Sequence, residues 1–368
     1  MDCDGGVGSR SSSSGGGSGG GSGSSDTRNH TQDDTRNGAA FDDDTELQVQ
    51  ASSRLLSGGD TSHAMLEGAL ASSKSYESAL VYPTGYMTNT GVIPVLAGSG
   101  DVVFSDDLNH ASIIDGCRLA RGAKTVTYGH NDADDLESKM AEGGGDLDGH
   151  MVVVTEGVFS MDGDVAPLVA IRDVAEKYDA ILVVDDAHGD FVMGRNGRGT
   201  PDHLGLADPR CGAHVYISSL SKGLGSFGGY VASDHSVIDL CVNRSRPFIY
   251  TSALPSYFAK HAYRRIVSVR EQDARRAKLA QNVRLLSEAL EGAGYPTESR
   301  THIMPVMVGS ELRATELARH LYRCGVYAPA IRYPTVPLGE ARLRISATAW
   351  LEGDDISAVR RALESAPS

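Results

Sequence analysis

The sequence predicts an α/β fold, a mostly parallel central sheet flanked by helices, followed by a smaller C-terminal α+β domain. Three observations carry this. Short runs rich in Val and Ile recur from Ala79 to Ser218, with helical patterns such as Pro167–Lys177 between several of them, which is the pattern of a sheet buried on both faces. After about Tyr257 the pattern changes to long polar helical segments and fewer strands. The first 45 residues belong to neither class, being dominated by Gly and Ser and then by Asp, Thr and Asn.

Taken in order, residues 1–45 cannot bury enough apolar surface to offset their ordering entropy and are expected to form a flexible tail. Their Gly16-Gly17-Ser18-Gly19-Gly20 matches a nucleophile-elbow pattern. Neither a strand before it nor a helix after it supports that chemistry. Residues 46–256 form the expected large α/β domain, with strands at Ala79–Tyr82, Val102–Phe104, Thr125–Tyr128, Met151–Thr155, Ile181–Val184, Val215–Ser218 and Gly228–Ala232. Residues 257–368 form the expected small domain. A long helix over Ser256–Ala293 leads into it, followed by a strand near Ile303–Val308, a helix over Ala314–Cys324, strands at Val326–Ile331 and Leu343–Ala347, and a last helix over Asp354–Glu364.

The chain has 368 residues, 40% of them hydrophobic, and a formal net charge of −14 with pI near 5.3. It is long enough to bury a sizeable core. Its acidity and lack of a basic run argue against nucleic acid and membrane-surface partners. Five scattered cysteines without a paired C-x-x-C spacing suggest reduced thiols and a cytoplasmic setting. No apolar stretch spans a bilayer and no secretory leader is visible. Zinc hydrolase spacings are absent, and no metal is expected.

The chemistry gathers at the carboxyl ends of the predicted strands, where open parallel sheets bind ligands. Val215–Ser218 delivers Ser219-Leu220-Ser221-Lys222-Gly223 into a glycine-rich run, and Ile181–Val184 ends on Asp185-Asp186-Ala187-His188. A lysine that forms a Schiff base needs fixed placement and small neighbours. A carboxylate at a strand end can hold a pyridinium proton. Together they suggest pyridoxal phosphate (PLP) chemistry. His188 could bond the cofactor's phenolic oxygen or a bound carboxylate. Gly85 and Tyr86 follow a strand and open a helix, so their N–H groups suit a phosphate, although an ordinary strand-to-helix turn reads the same way. His110 could stack on a cofactor ring or cap a helix. Ser160 lies in the dense Gly/Asp loop Glu156–Asp164. Arg342 and Arg344 share one face of a strand. One of them could clamp a substrate carboxylate, or both could be edge-strand cations.

From about Arg54 onward the chain resembles the α-oxoamine synthases, PLP enzymes of fold type I. The matching stretches are SRLLSGGDTSHAMLEGALA, YPTGYMTNTGVIPVL, SDDLNHASIIDGCRL, EGVFSMDGDVAPL, VVDDAHGDFVMGRNGRGT, SSLSKGLGSFGGY, PFIYTSALPS and AIRYPTVPLGEARLRIS. They occur in the family's order. The resemblance implies that Lys222 is the Schiff-base lysine and later the general acid/base. It implies that Asp185 pairs with the pyridinium nitrogen, His188 contacts the phenolic oxygen and His110 stacks on the ring. Ser160 and Ser219, where many relatives have Thr at the latter, give hydroxyl contacts, and Gly85 and Tyr86 lie at the phosphate. Thr251 and Ser252 match a segment that reaches the neighbouring subunit's phosphate, which implies a homodimer with shared sites. Arg344 matches the arginine that holds the amino-acid carboxylate.

Family members condense an amino acid with an acyl-CoA and lose CO₂. AIRYPTVP is most similar to the branch that joins L-alanine to a pimeloyl thioester. The branch that acetylates glycine is the alternative, since DDAHG and HASIIDG occur in both. Relatives begin with a helix and an Asn-Tyr-Leu-Gly-Leu-type strand near the substrate. The Gly/Ser/Asp segment stands in that place here, so substrate binding is expected to differ more than cofactor binding. Two rival readings follow from the residues. Ser219-Leu220-Ser221-Lys222 fits the S-x-x-K of serine acyl-enzymes, but the required S-D-N and K-T-G partners are missing. A non-catalytic partner subunit of the same fold is the other, and the joint presence of Lys222, Asp185, His188 and His110 opposes it.

Overall fold

The computed structural model describes residues 52–143, 149–206, 212–269 and 272–367. The low-complexity stretch read as a tail lies outside the described residues, as do Cys3 and Cys211. Cys117 and Cys241 are buried free thiols and Cys324 an exposed one.

The chain enters through helix α1 (Thr61–Lys74), whose N-cap Asp60 accepts from the backbone of Ser62 and His63. Strand β1 (Ser78–Tyr82) leads to α2 (Gly85–Leu96), capped by Thr84. Then follow β2 (Val102–Asp106), α3 (Ala111–Leu119), β3 (Lys124–Tyr128), α4 (Ala133–Gly143), β4 (Met151–Glu156), α5 (Leu168–Lys177) and β5 (Ile181–Asp185). Short α6 (Thr200–His203) precedes β6 (Val215–Ser219) and β7 (Gly229–Ser233), and α7 (His235–Arg244) and α8 (Arg246–Tyr250) close this part. The seven strands run in the order β1-β7-β6-β5-β4-β2-β3. Pairs from β6 to β3 are parallel, and β7 alone runs against both its neighbours.

Period-2 alternation divides each strand except the largely exposed edge strand β3 between two cores. In β5, Val183 joins a cluster with Val92, Ile93 and Ile217, while Leu182 and Val184 join one with Phe104, Leu136 and Ile171. Burial on both faces is why these strands read as unbroken apolar runs. Most strands continue past those runs into polar residues. Glu156 pairs in register with Asp185, and Asp185 with Ile217, so the carboxyl ends of the sheet are held by ladder bonds although their side chains are charged.

The remaining elements are α9 (Ser256–Val269), α10 (Asp273–Gly292), β8 (Ile303–Gly309), α11 (Glu311–Arg323), β9 (Ala330–Ile331), β10 (Ala341–Ser346) and α12 (Gly353–Glu364). Strands β8-β10-β9 make a second, antiparallel sheet. Two expectations need correction. The single helix over Ser256–Ala293 is two helices, because its halves serve different cores. Ala259, Ala262 and Ile266 pack with Leu66 and Leu70 of α1, whereas Leu286 and Leu290 pack with Met304, Leu343 and Leu363. The strand over Val326–Ile331 shrinks to Ala330–Ile331. The Val326 N–H is used on the Leu321 carbonyl at the end of α11, and Pro329 has no N–H to give a ladder. No helix among the described residues is long and apolar enough to cross a membrane.

Candidate active site

Three adjacent strand ends and one helix start converge. Glu156 ends β4, Asp185 ends β5 and Ser219 ends β6, and α2 begins beside them. A Cβ on Gly85 would lie 3.1 Å from Ser219 Cβ, and one on Gly229 would lie 2.6 Å from the Gly85 nitrogen. Glycine is therefore required where α2 approaches the sheet. The Gly85 and Tyr86 N–H groups have no acceptor within the helix and form a cradle for an anion. The Tyr86 hydroxyl turns aside to Asp115 on α3. Ser219 Oγ sits 2.8 Å from Ser221 Oγ at the rim of this cradle.

Lys222 projects from the loop after β6, and its Nζ lies 2.7 Å from His188 Nε2. The residue as a whole is open to the cleft, yet its ammonium is set among protein groups. Dehydration lowers its pKa; Asp185 and Glu156 oppose that shift and Arg344 adds to it. His188 is held well below the usual imidazole range, first by burial and then by the Lys222 charge. The imidazole in this contact is therefore neutral.

Asp185 is 7% exposed. Its Oδ2 accepts from Asn89 Nδ2 at 2.6 Å and its Oδ1 from the Ala187 N–H at 3.0 Å. The same Asn89 amide reaches Ser112 Oγ at 2.9 Å, and Ser112 Oγ lies 2.7 Å from His110 Nδ1. His110 caps α3, and the Ser112 N–H donates to its Nδ1. Burial lowers its pKa, Asp185 opposes this and Lys222 assists, so a neutral ring with an acceptor Nδ1 fits. Glu156, 3% exposed, accepts the His110 N–H at 2.7 Å. Burial, and then the Asp185 charge, push its carboxyl well up.

The two arginines of β10 differ. Arg342 is 3% exposed and bound to the carboxylates of Asp162 and Glu340. Arg344 donates from Nε to the Ser160 carbonyl at 2.6 Å and from Nη1 to Ser346 Oγ at 3.0 Å. Among the described residues it has no carboxylate partner. Its charge acts on Lys222, His188 and His302, so it faces the same cleft.

The fold thus brings together Gly85, Tyr86, His110, Ser160, Asp185, His188, Ser219, Lys222 and Arg344. Thr251 and Ser252 make other contacts: Thr251 Oγ1 bonds the Pro247 carbonyl and Ser252 bridges Ser53. Three residues were not singled out beforehand. Glu156 ends an apolar run as Asp185 does, a signal present in the sequence. Asn89 lies four residues after Gly85, on the same helical face. His302 precedes β8, its ring centroid 6.4 Å from that of His188, with a buried Nδ1 that has no hydrogen-bond partner among the described residues; nothing local marks it. Asp185, Lys222 and the glycine cradle fit a pyridine nitrogen, an aldehyde and a phosphate. Among the described residues no group of three or more acids, histidines or cysteines could hold a metal ion.

Comparison with known proteins agrees with this geometry. The sequence profile of the family "Aminotransferase class I and II" matches residues 27–363. The 8-amino-7-oxononanoate synthase of Geobacter sulfurreducens is 45% identical over 307 residues, covering 83% of this chain and 77% of that protein. The enzyme of the same name from Symbiobacterium thermophilum is 42% identical over 327 residues, covering 88% and 82%. Among solved structures, Sphingomonas wittichii serine palmitoyltransferase superposes with a TM-score of 0.81 at 33% identity, covering 86% of this chain and 79% of that one. The 8-amino-7-oxononanoate synthase of Francisella tularensis gives 0.73 at 26% identity, covering 83% and 87%. The chain belongs to the class I and II aminotransferase family. Within that family, these relatives and neighbours are α-oxoamine synthases.

Proposed function

We propose that this chain is a PLP-dependent C-acyltransferase that condenses L-alanine with pimeloyl-CoA, or another pimeloyl thioester, to give 8-amino-7-oxononanoate, a step of biotin synthesis. The names of the curated relatives support the reaction. The observation that carries it is the grouping in one cleft of Lys222, His188, Asp185 and Arg344, which has no carboxylate partner among the described residues.

When bound, pyridoxal phosphate supplies an electron sink for the amino acid's α-carbon. Gly85 and Tyr86 hold its phosphate with backbone N–H groups, Asp185 holds the ring-nitrogen proton, and His110, Ser160, His188 and Ser219 fix the ring. Arg344 binds the L-alanine carboxylate. Lys222, with its lowered pKa, is a base ready to take the α-proton and to return a proton later. Overall, the α-carbon bonds to the thioester carbonyl carbon, the CoA thiolate leaves, and the amino-acid carboxyl departs as CO₂.

In this reading residues 46–256 carry the cofactor and residues 257–368 bring Arg344 to it. The protein is a cytoplasmic homodimer in which Thr251 and Ser252 serve the partner's phosphate, as the family resemblance of that segment implies. The test is a product assay by mass spectrometry with two substrate pairs. L-alanine with pimeloyl-CoA is expected to release CO₂ and give 8-amino-7-oxononanoate, and Lys222→Ala none. Turnover of glycine with acetyl-CoA alone would contradict the assignment and favour glycine C-acetylation.

A further inference from the structure

One charged cluster outside the cleft has no part in the chemistry above. His130 follows β3, with Nδ1 2.9 Å from Asp106 Oδ1 and Nε2 2.7 Å from Asp164 Oδ2. A ring with a carboxylate on each nitrogen carries two protons and a positive charge. Burial opposes that charge, and the bonds to Asp106 and Asp164 outweigh it, raising the pKa to about 10. The Asn131 N–H adds a bond to Asp106 at 2.8 Å, and Asn131 Nδ2 one to Asp164 at 2.5 Å. The imidazole and the Phe159 ring meet edge to face, their centroids 4.4 Å apart and their planes at 89°.

Asp164 and Phe159 belong to the loop between β4 and α5. That loop closes on itself through Phe159 N to the Asp164 carbonyl and Gly163 N to the Phe159 carbonyl. Its other side faces the small sheet. The Gly163 carbonyl accepts from Ser299 Oγ at 2.9 Å and Thr301 Oγ1 at 2.7 Å. Asp162 pairs with Arg342, and the Ser160 carbonyl takes Arg344 Nε. A Cβ on Gly163 would fall 1.9 Å from the Ile303 carbonyl oxygen, so loop backbone and β8 backbone are in direct contact. One loop therefore joins the two sheets, and His130 ties it to the large one.

We propose that His130 is a positioning residue, a charged rivet between Asp106 and Asp164 that sets the 157–164 loop and through the Ser160 carbonyl orients Arg344 toward the substrate carboxylate. This rests on the function proposed above. His130 touches neither substrate nor cofactor, so its loss acts on amino-acid capture and leaves the Lys222 end intact.

The experiment compares PLP-loaded wild type with His130→Gln, which keeps a donor and removes the charge. The cofactor absorbance band is expected to persist, with kcat within about twofold, while the KM for L-alanine rises roughly ten- to a hundredfold. Hydrogen–deuterium exchange is expected to quicken in peptides spanning residues 157–164 and to stay unchanged in β5 and β6. Wild-type KM together with wild-type exchange in the loop would overturn the proposal, as would a fall in kcat at unchanged KM. Should His130→Gln not fold, Asp164→Asn, which keeps the Asp106 bond, carries the same expectation at smaller size. A wild-type band that ignores L-alanine would count against the substrate assignment, and the exchange comparison would then still decide the role of His130.

Discussion

Asp185 and Asp186 are neighbours in the chain and opposites in surroundings. Asp185 faces the cleft, with two hydrogen bonds from neutral groups. Asp186 is 0% exposed and closed off by the Thr200 N–H, the Thr200 hydroxyl and the Tyr216 hydroxyl at 2.7, 2.5 and 2.7 Å. Behind it, Lys74 pairs with Asp190, whose other oxygen takes the Tyr230 hydroxyl at 2.6 Å. Strand β10 repeats the pattern, with Arg342 saturated by carboxylates and Arg344 not. In both places one polar residue is enclosed by protein partners and holds the structure, and the other faces the cleft without a counter-charge among the described residues bonded to it.

Substitutions that separate the two classes test this. Asp185→Asn is expected to lower kcat by about 10⁴-fold, the loss seen when an acid that fixes a ring-nitrogen proton is neutralised, with little change in melting temperature. Lys74→Met leaves Asp190 buried and unpaired and is expected to destabilise by about 3–5 kcal/mol while the folded fraction keeps its cofactor band; denaturant unfolding measures this. If Asp185→Asn unfolds the protein, or Lys74→Met abolishes turnover without loss of stability, the comparison fails. Arg344→Gln is expected to raise the KM for L-alanine by roughly ten- to a hundredfold, and Arg342→Gln to act mainly on melting temperature.

The smallest effect expected is one of pH. Burial, and then the Asp190 charge, raise Asp186 from 3.8 to about 7, against its hydrogen bonds. A carboxyl raised on folding favours the fold most below its unfolded value, and that contribution is lost as pH climbs through the folded one. Between pH 3.8 and about 7 the melting temperature of Asp186→Asn should therefore decline less than that of wild type. A parallel profile would show that Asp186 stays ionised in the fold.

The sequence carried the cleft better than its support. Strand ends, glycines and the lysine are local, so Asp185, Lys222 and Gly85 could be read from pattern, whereas pattern left Arg342 and Arg344 open and only the family resemblance singled out Arg344. Asn89, His130 and His302 act through contacts between elements distant in sequence, and no window of residues reports that. The extent of α9 and α10 was missed for the same reason, since both halves are polar helices and only the cores they face tell them apart. The short β9 was a local matter after all, because Pro329 marks where a ladder must stop.

The most direct test of the central claim is to load the protein with PLP, reduce it with borohydride and map the pyridoxyl group by peptide mass spectrometry. A label on Lys222 alone, absent from Lys222→Ala, is the predicted result. A label on another lysine, or none, would contradict the account.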